Sequence, residues 1–271
     1  MNSSPEFSRR QTLLGLAGTI AATSLAVQAQ ETQACAAPQP DERRTIKRPV
    51  VVAFDVIETL FSLAPLQERL AAFGLPAEAL EIWFPRLLRD AFALETAGVF
   101  KTFREIAGAT LAGLMAERQI EPSQKKVDQV LDGFAELPVH PDVQPAFEML
   151  QAAGVRLVTL TNGSADTTRK LLQRSGLLSM IEHTISIEAI RRWKPAREVY
   201  LHAAKIAGVP PGDIALAAAH DWDTQGAGRA GLMTGWVGRK GKFFSAVMEP
   251  PDVRGSTLVE VAEQWIKLTK S

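Results

Sequence analysis

Five consecutive apolar residues, 50–54 (Val-Val-Val-Ala-Phe), end on an acid, Asp55. A run with no polar alternation suits a strand covered on both faces, an environment supplied by a parallel sheet layered between helices. Strand candidates of similar character recur at 156–160, 184–187, 214–218 and 233–237. Helical segments separate them, at 143–153, 165–175, 197–207 and 224–230. Alternation of this kind predicts an α/β fold, a doubly wound, mainly parallel Rossmann-like sheet. Between Leu66 and Glu136 the pattern changes: Leu80, Trp83, Leu87, Leu88, Phe92 and Leu94 recur at helical spacing and no strand run appears. That stretch predicts an inserted all-helical cap over 66–137, with the core domain formed by 49–65 and 138–271. The triplet Val139-His140-Pro141 marks the return to the sheet, Pro141 standing near the first turn of the next helix.

The N-terminus reads as a separate device. Arg9 and Arg10 precede a stretch with no charged side chain until Glu31, and its apolar part is shorter than the ~20 residues that span a bilayer. It closes on Val27-Gln28-Ala29, a small-residue cleavage pattern. Residues 1–29 are therefore expected to be a cleaved signal peptide that resembles the twin-arginine type, although Thr12 stands where that type has a large apolar residue. The expected destination is the periplasm or the exterior, with the export machinery as a partner; a retained N-terminal membrane anchor is the other reading. Residues 30–48 read as a linker, and Cys35 within it as a solvated thiol.

Composition excludes several classes. With 30 Lys plus Arg against 30 Asp plus Glu, the chain lacks the basic excess that nucleic-acid binding requires. A single cysteine excludes an internal disulfide and any multi-cysteine zinc site. At 271 residues and 46% hydrophobic, the chain is long enough to bury a full core.

In an open parallel sheet, ligands bind beyond the carboxyl ends of the strands. The first strand ends in Asp55-Val56-Ile57-Glu58-Thr59-Leu60 and the second in Thr161-Asn162-Gly163. Lys194 precedes Pro195 after the third, and the fourth leads into His220-Asp221-Trp222-Asp223. Each motif alone is an ordinary turn or cap, and Asp221 reads equally well as a helix N-cap. Their shared sheet edge is what combines a carboxylate nucleophile with a cation and small hydrogen-bonding groups.

These motifs, in this order and with a helical cap between the first two, resemble the haloacid dehalogenase superfamily, and within it the type II (S)-2-haloacid dehalogenases, over about 50–239. The resemblance implies that Asp55 is the nucleophile and Thr59 a supporting hydroxyl. It implies that Thr161 and Asn162 bind a small carboxylate substrate, that Lys194 holds Asp55, that Tyr200 belongs to the site, and that Asp223 is the acid of the fourth motif. Phosphatases of this superfamily carry a second aspartate two residues after the nucleophile, to protonate a leaving alcohol and then activate water. Here that residue is Ile57. A halide leaves without such a proton, so displacement by Asp55 to give an ester, followed by hydrolysis, is the expected reaction, with no cofactor. A Mg²⁺-dependent phosphatase and a non-catalytic binding protein on the same scaffold stay open as alternatives, and so do monomer and homodimer.

Four departures from the family pattern stand out. Glu58 replaces a glycine, so the backbone there is expected to be open to a residue with a Cβ. The cap arginine of the dehalogenases aligns with Phe84, leaving Arg86 either as the candidate to reach the substrate from the next turn or as a solvated cap residue. Ala218 and His220 replace a serine and an asparagine. His220 either activates the hydrolytic water or only positions it. His140, His183 and His202 are expected to be structural, and Trp83, Trp193, Trp222 and Trp236 to be core or pocket wall.

Overall fold

The computed structural model describes residues 46–239 and 243–269. The signal peptide read in 1–29, Cys35 and most of the linker lie outside the described residues. The apolar run forms β1 (Val51–Phe54), whose four residues are wholly buried. It is followed by β2 (Arg156–Thr161), β3 (His183–Ser186), β4 (Ile214–Ala218), β5 (Met233–Val237) and β6 (Val253–Gly255). All pair in parallel, in the order β3-β2-β1-β4-β5-β6. The chain winds outward from β1 to β3 and then crosses to the other side of β1, so the order reverses between β1 and β4. A crevice opens at the carboxyl ends there. Register fixes what faces it: Phe54 lies level with Thr159 on β2 and Ala217 on β4, which brings Asp55, Thr161 and the residues after Ala218 to one edge.

The insert is helical as expected. It consists of α1 (Pro65–Ala71), α2 (Ala79–Thr96), α3 (Phe103–Glu117) and α4 (Gln124–Leu131), followed by a 3-10 turn at Asp132–Ala135. A reciprocal capping box starts α3: Thr102 accepts from the Glu105 N–H, and the Glu105 carboxylate accepts from the Thr102 N–H. The indole of Trp83 on α2 donates to the Ala107 carbonyl of α3 at 3.0 Å, satisfying a buried polar group while joining the two longest cap helices. The two connections between cap and core run side by side: the Ser62 N–H donates to the Pro138 carbonyl and the His140 N–H to the Leu60 carbonyl, each at 2.9 Å.

The core helices are α5 (Val143–Ala152), α6 (Ala165–Arg174), α7 (Arg197–Ala207), α8 (Asp221–Arg229) and α9 (Leu258–Lys267). Two differences from the sequence reading matter. Helix α8 begins at Asp221 and not at 224, which puts Asp223 in its first turn. The short edge strand β6 and helix α9 complete the sheet domain beyond the last predicted strand. Trp265 of α9 is fully buried over Gly235 of β5, where an added Cβ would come within 2.5 Å of the indole. Glycine there allows the helix to close on the sheet.

Candidate active site

Asp55 follows β1 directly and its N–H donates to the Ala217 carbonyl at 3.0 Å, so the strand pairing continues into the site. Thr59, four residues on, donates to Asp55 Oδ2 at 2.7 Å and accepts from the Ala219 N–H at 2.9 Å, tying the first loop to the end of β4. Lys194 comes from the loop after β3 and is wholly buried. Its Nζ lies 3.0 Å from Asp55 Oδ1 and 2.8 Å from Asp223 Oδ2. Tyr200 on α7 donates to the other oxygen of Asp223 at 2.7 Å. The phenol fits because α8 has a glycine beside it: a Cβ on Gly226 would lie 2.6 Å from the Tyr200 oxygen.

The charges in this cluster set one another. Burial opposes ionisation of Asp55, but Lys194, followed by His220 and Thr59, outweighs it and holds the carboxyl well below the usual range. Burial likewise opposes the Lys194 cation, yet Asp223 and Asp55 together raise its pKa. Asp223 moves up, from burial first and then from the negative charge of Asp55. Tyr200 is pushed far above its ordinary value by burial and by Asp223, and stays a donor. Asp55 is thus an ionised carboxylate with little solvent around it, the condition of an activated nucleophile.

The second loop holds this arrangement from below. Asn162 accepts from the Lys194 N–H at 3.1 Å through its side-chain oxygen, and Thr161 accepts from the Gly163 N–H at 2.9 Å. Ser186 at the end of β3 donates to the Gly163 carbonyl at 2.7 Å. Thr161, Gly163 and Ile57 also line a cavity of about 300 Å³ between cap and core, whose apolar wall is Phe103, Leu131, Phe134 and Leu171. The cap is locked to the lysine loop nearby. The Trp193 indole donates to the Lys101 carbonyl and its N–H to Glu95, each at 2.8 Å.

The structure gathers Asp55, Thr59, Thr161, Asn162, Lys194, His220 and Asp223 at one edge, with Tyr200 behind Asp223 and fully enclosed. Arg86 is not among them. Its guanidinium pairs with Glu117 on α3 at 2.7 Å, on the outer side of the cap, because α2 turns that position toward its neighbouring helix. Position 84 faces the site instead, and the Phe84 ring lies 6.3 Å from that of His220. Asp221 is the first residue of α8 and provides no side-chain N-cap; its oxygens accept from the N–H groups of Trp222 and Ser245.

Glu58 corrects a second expectation. Its φ is +64°, so the backbone keeps the left-handed conformation that favours glycine while carrying a full side chain. That conformation costs a non-glycine residue roughly 1–2 kcal/mol. The side chain gains a partner that the composition of the loop gave no reason to expect: Glu58 Oε2 lies 2.9 Å from His220 Nε2. His220 Nδ1 lies 3.3 Å from Asp55 Oδ2, at an angle that makes no hydrogen bond. Burial disfavours the imidazolium, but Asp55 and Glu58 on its two sides raise its pKa to about 9. At neutral pH the ring is a cation.

With this geometry in view, the chain can be set beside known proteins. A family model described as haloacid dehalogenase-like hydrolase matches residues 49–231. The chain belongs to that family. Among its relatives, haloacetate dehalogenase H-2 of Moraxella sp. (strain B) is 24% identical over 209 residues, covering 76% of this chain and 93% of the relative. The (S)-2-haloacid dehalogenase 4A of Burkholderia cepacia is 25% identical over 224 residues, covering 80% and 94%. The solved structure of L-2-haloacid dehalogenase from Xanthobacter autotrophicus with chloropropionic acid covalently bound shares the fold with a TM-score of 0.74 at 20% identity, covering 79% of this chain and 97% of that one.

The strain at Glu58 is separable from its contact with His220. Glu58→Ala and Glu58→Gly both remove the contact, but only glycine accepts a φ of +64° without penalty. The glycine variant is expected to be more stable than the alanine variant by about 1 kcal/mol in denaturant unfolding. Equal stabilities would show that the loop relaxes and carries no strain.

Proposed function

We propose that this family member hydrolyses the carbon–halogen bond of (S)-2-haloalkanoic acids. The observation that carries the reading is Asp55, held ionised between Lys194 and Thr59, with Ile57 where a phosphatase has its second carboxylate. An isoleucine gives no proton to a leaving alcohol, and a halide requires none. The names of the relatives support the same substrate class, and the covalently bound chloropropionic acid of the Xanthobacter autotrophicus enzyme supports an ester-forming first step.

In this reading Thr161 and Asn162 present the second loop to the substrate carboxylate. An Asp55 oxygen attacks C2 from the side opposite the halogen; a C–O bond forms, the C–X bond breaks, and the halide leaves with its electron pair. The carbon inverts and an aspartyl ester results. Water then attacks the ester carbonyl, releasing the 2-hydroxy acid and restoring Asp55. Lys194 keeps the nucleophile charged before the first step and receives it again after the second. No step draws on a metal. Asp223, wholly buried, has one oxygen on Lys194 and the other on Tyr200, an ion-pair arrangement rather than an open ligand set.

The apolar cavity beside Ile57 and Thr161 gives the C2 substituent a place to be buried. We propose in addition that residues 1–29 direct export to the periplasm, on the strength of the Arg9-Arg10 pair and the uncharged run behind it.

Three measurements test these points. Halide release from the (S) enantiomer of 2-chloropropionate alone, surviving EDTA and falling on the order of a thousandfold or more in Asp55→Asn, is the expected result. Phosphate release from an aryl phosphate, dependent on Mg²⁺, would overturn it. Across chloroacetate, 2-chloropropionate and 2-chlorobutyrate, kcat/KM should rise by up to about fourfold per methylene, the equivalent of ~0.8 kcal/mol of burial; a fall along the series would show that the cavity does not receive the substituent. Replacing Arg9 and Arg10 by Lys should abolish export in a fractionation assay, and undiminished export would remove the twin-arginine route.

A further inference from the structure

We propose that Glu95 of the cap is a positioning residue for Lys194: by gripping the two residues before the lysine, it sets the ammonium between Asp55 and Asp223. The inference rests on the dehalogenase reading for the role of Asp55 and adds a part that none of the strand-end motifs contains. Glu95 stands in the last turn of α2. One of its oxygens accepts from the Trp193 N–H at 2.8 Å and the other from Arg192 Nε. Arg192 in turn reaches Glu198 on α7 at 3.0 Å, so its guanidinium bridges cap and core.

The grip is wider than one side chain. Residues 191, 192 and 193 are consecutive, and each meets the cap stretch 95–103. The Arg191 guanidinium lies over the Phe100 ring, 4.8 Å from its centroid. The Trp193 indole donates to the Lys101 carbonyl at 2.8 Å, and its ring stacks on Phe103 with centroids 6.3 Å apart and an interplanar angle of 22°. Trp193 is fully buried, so both of its N–H groups require acceptors, and the cap supplies both. The core fixes the loop one residue later, where the Asn162 side-chain oxygen accepts from the Lys194 N–H at 3.1 Å. The backbone that carries the lysine is thus held by the cap on one side and by the loop after β2 on the other.

Glu95 is the charged member of this grip. Its side chain is 14% exposed, and a carboxylate so covered bonds an N–H and a guanidinium more strongly than one in water does. Without it the Trp193 N–H loses its acceptor, and the loop meets that need by shifting. Lys194 Nζ has two contacts to keep, at 3.0 Å and 2.8 Å, in a site where charge interactions depend steeply on distance. A displaced loop therefore acts on the charge of the nucleophile. The groups that face Asp55 are Lys194, His220 and Thr59, with Asp223 beyond the lysine and Glu58 beyond the histidine. Of these, Lys194 is the one carried by the gripped loop. Weakening its pairing raises the pKa of Asp55 from its low resting position and leaves less ionised nucleophile in mild acid.

The test compares wild type with Glu95→Ala, Glu95→Gln and Trp193→Phe, each checked for folding by near-UV circular dichroism. In single-turnover rapid quench with saturating (S)-2-chloropropionate, Glu95→Ala is expected to release halide about ten- to a hundredfold more slowly, with KM changed less than kcat. Glu95→Gln still offers an oxygen to the Trp193 N–H and should recover most of the loss. Trp193→Phe keeps a ring and loses the indole donor; it should fall between wild type and Glu95→Ala, and it carries the same readouts should Glu95→Ala fail to fold. In Glu95→Ala the acid limb of the kcat/KM–pH profile should move to higher pH. NMR titration of the Asp55 carboxyl carbon should move the same way with no substrate present. Folded variants with an unchanged halide burst and an unmoved Asp55 titration, or with a loss confined to KM, would overturn the positioning role and leave the dehalogenase reading intact. A wild-type enzyme that releases no halide from either enantiomer would overturn that reading, and the Asp55 titration would still decide the coupling to Glu95.

Discussion

The ammonium of Lys194 between Asp55 and Asp223 is the interaction on which the rest of the site depends. It is fully buried, and a charge so placed is tolerated only when it is closely paired and its hydrogen bonds are met. Three separate loops must therefore arrive at fixed distances: the one after β1 with Asp55, the one after β3 with Lys194, and the first turn of α8 with Asp223. Removing Lys194 leaves two facing carboxylates without a cation in the interior, and removing either carboxylate leaves the ammonium one partner in place of two. The parallel sheet meets this demand by ending its strands at one level, and the helices behind it exclude the water that would otherwise screen the pairs.

The cap takes part in this economy of charge through its contacts more than through its own ionised groups. Its charged side chains pair with one another, as Arg86 does with Glu117 and as Arg104, at the edge of the cavity, does with Asp128 and Asp132. Toward the site it presents Phe84, Phe103, Leu131 and Phe134. Glu95 is the exception, reaching from α2 to the Trp193 N–H and to Arg192 immediately before the lysine. Apolar cover lowers the local dielectric, which strengthens every pair beneath it. Beside Asp55 the core supplies both Lys194 and His220, the latter balanced by Glu58.

Much of the fold was legible because burial on both faces writes continuous apolar runs. The strands at 214–218 and 233–237 lie where the sequence placed them, and the others differ by a residue or so at their ends. The edge strand β6 escaped because three residues at a sheet margin carry no such run, and α9 with it. In the site, the motifs at strand ends identified Asp55, Thr59, Lys194 and Asp223 because their spacing relative to the strands is fixed by the register. Arg86 was misplaced because position along a helix gives a face only once the neighbouring helix is known, and α3 with Glu117 claimed it.

By itself, then, the sequence determined the layered α/β core, the helical insert and the set of polar groups at one sheet edge, since each follows from local periodicity and from where a strand stops. Only the tertiary structure decided that Glu58 keeps a glycine-like backbone and reaches His220, and that Tyr200 serves Asp223 from behind. It also decided that Phe84 of the cap lies beside the His220 ring, while Arg86 turns to Glu117. The physical reason is the same in each case. Pairing between side chains 23 to 162 positions apart depends on distances and angles that chain spacing does not encode, and the charge state of a buried group is set by whichever partner finally lies beside it.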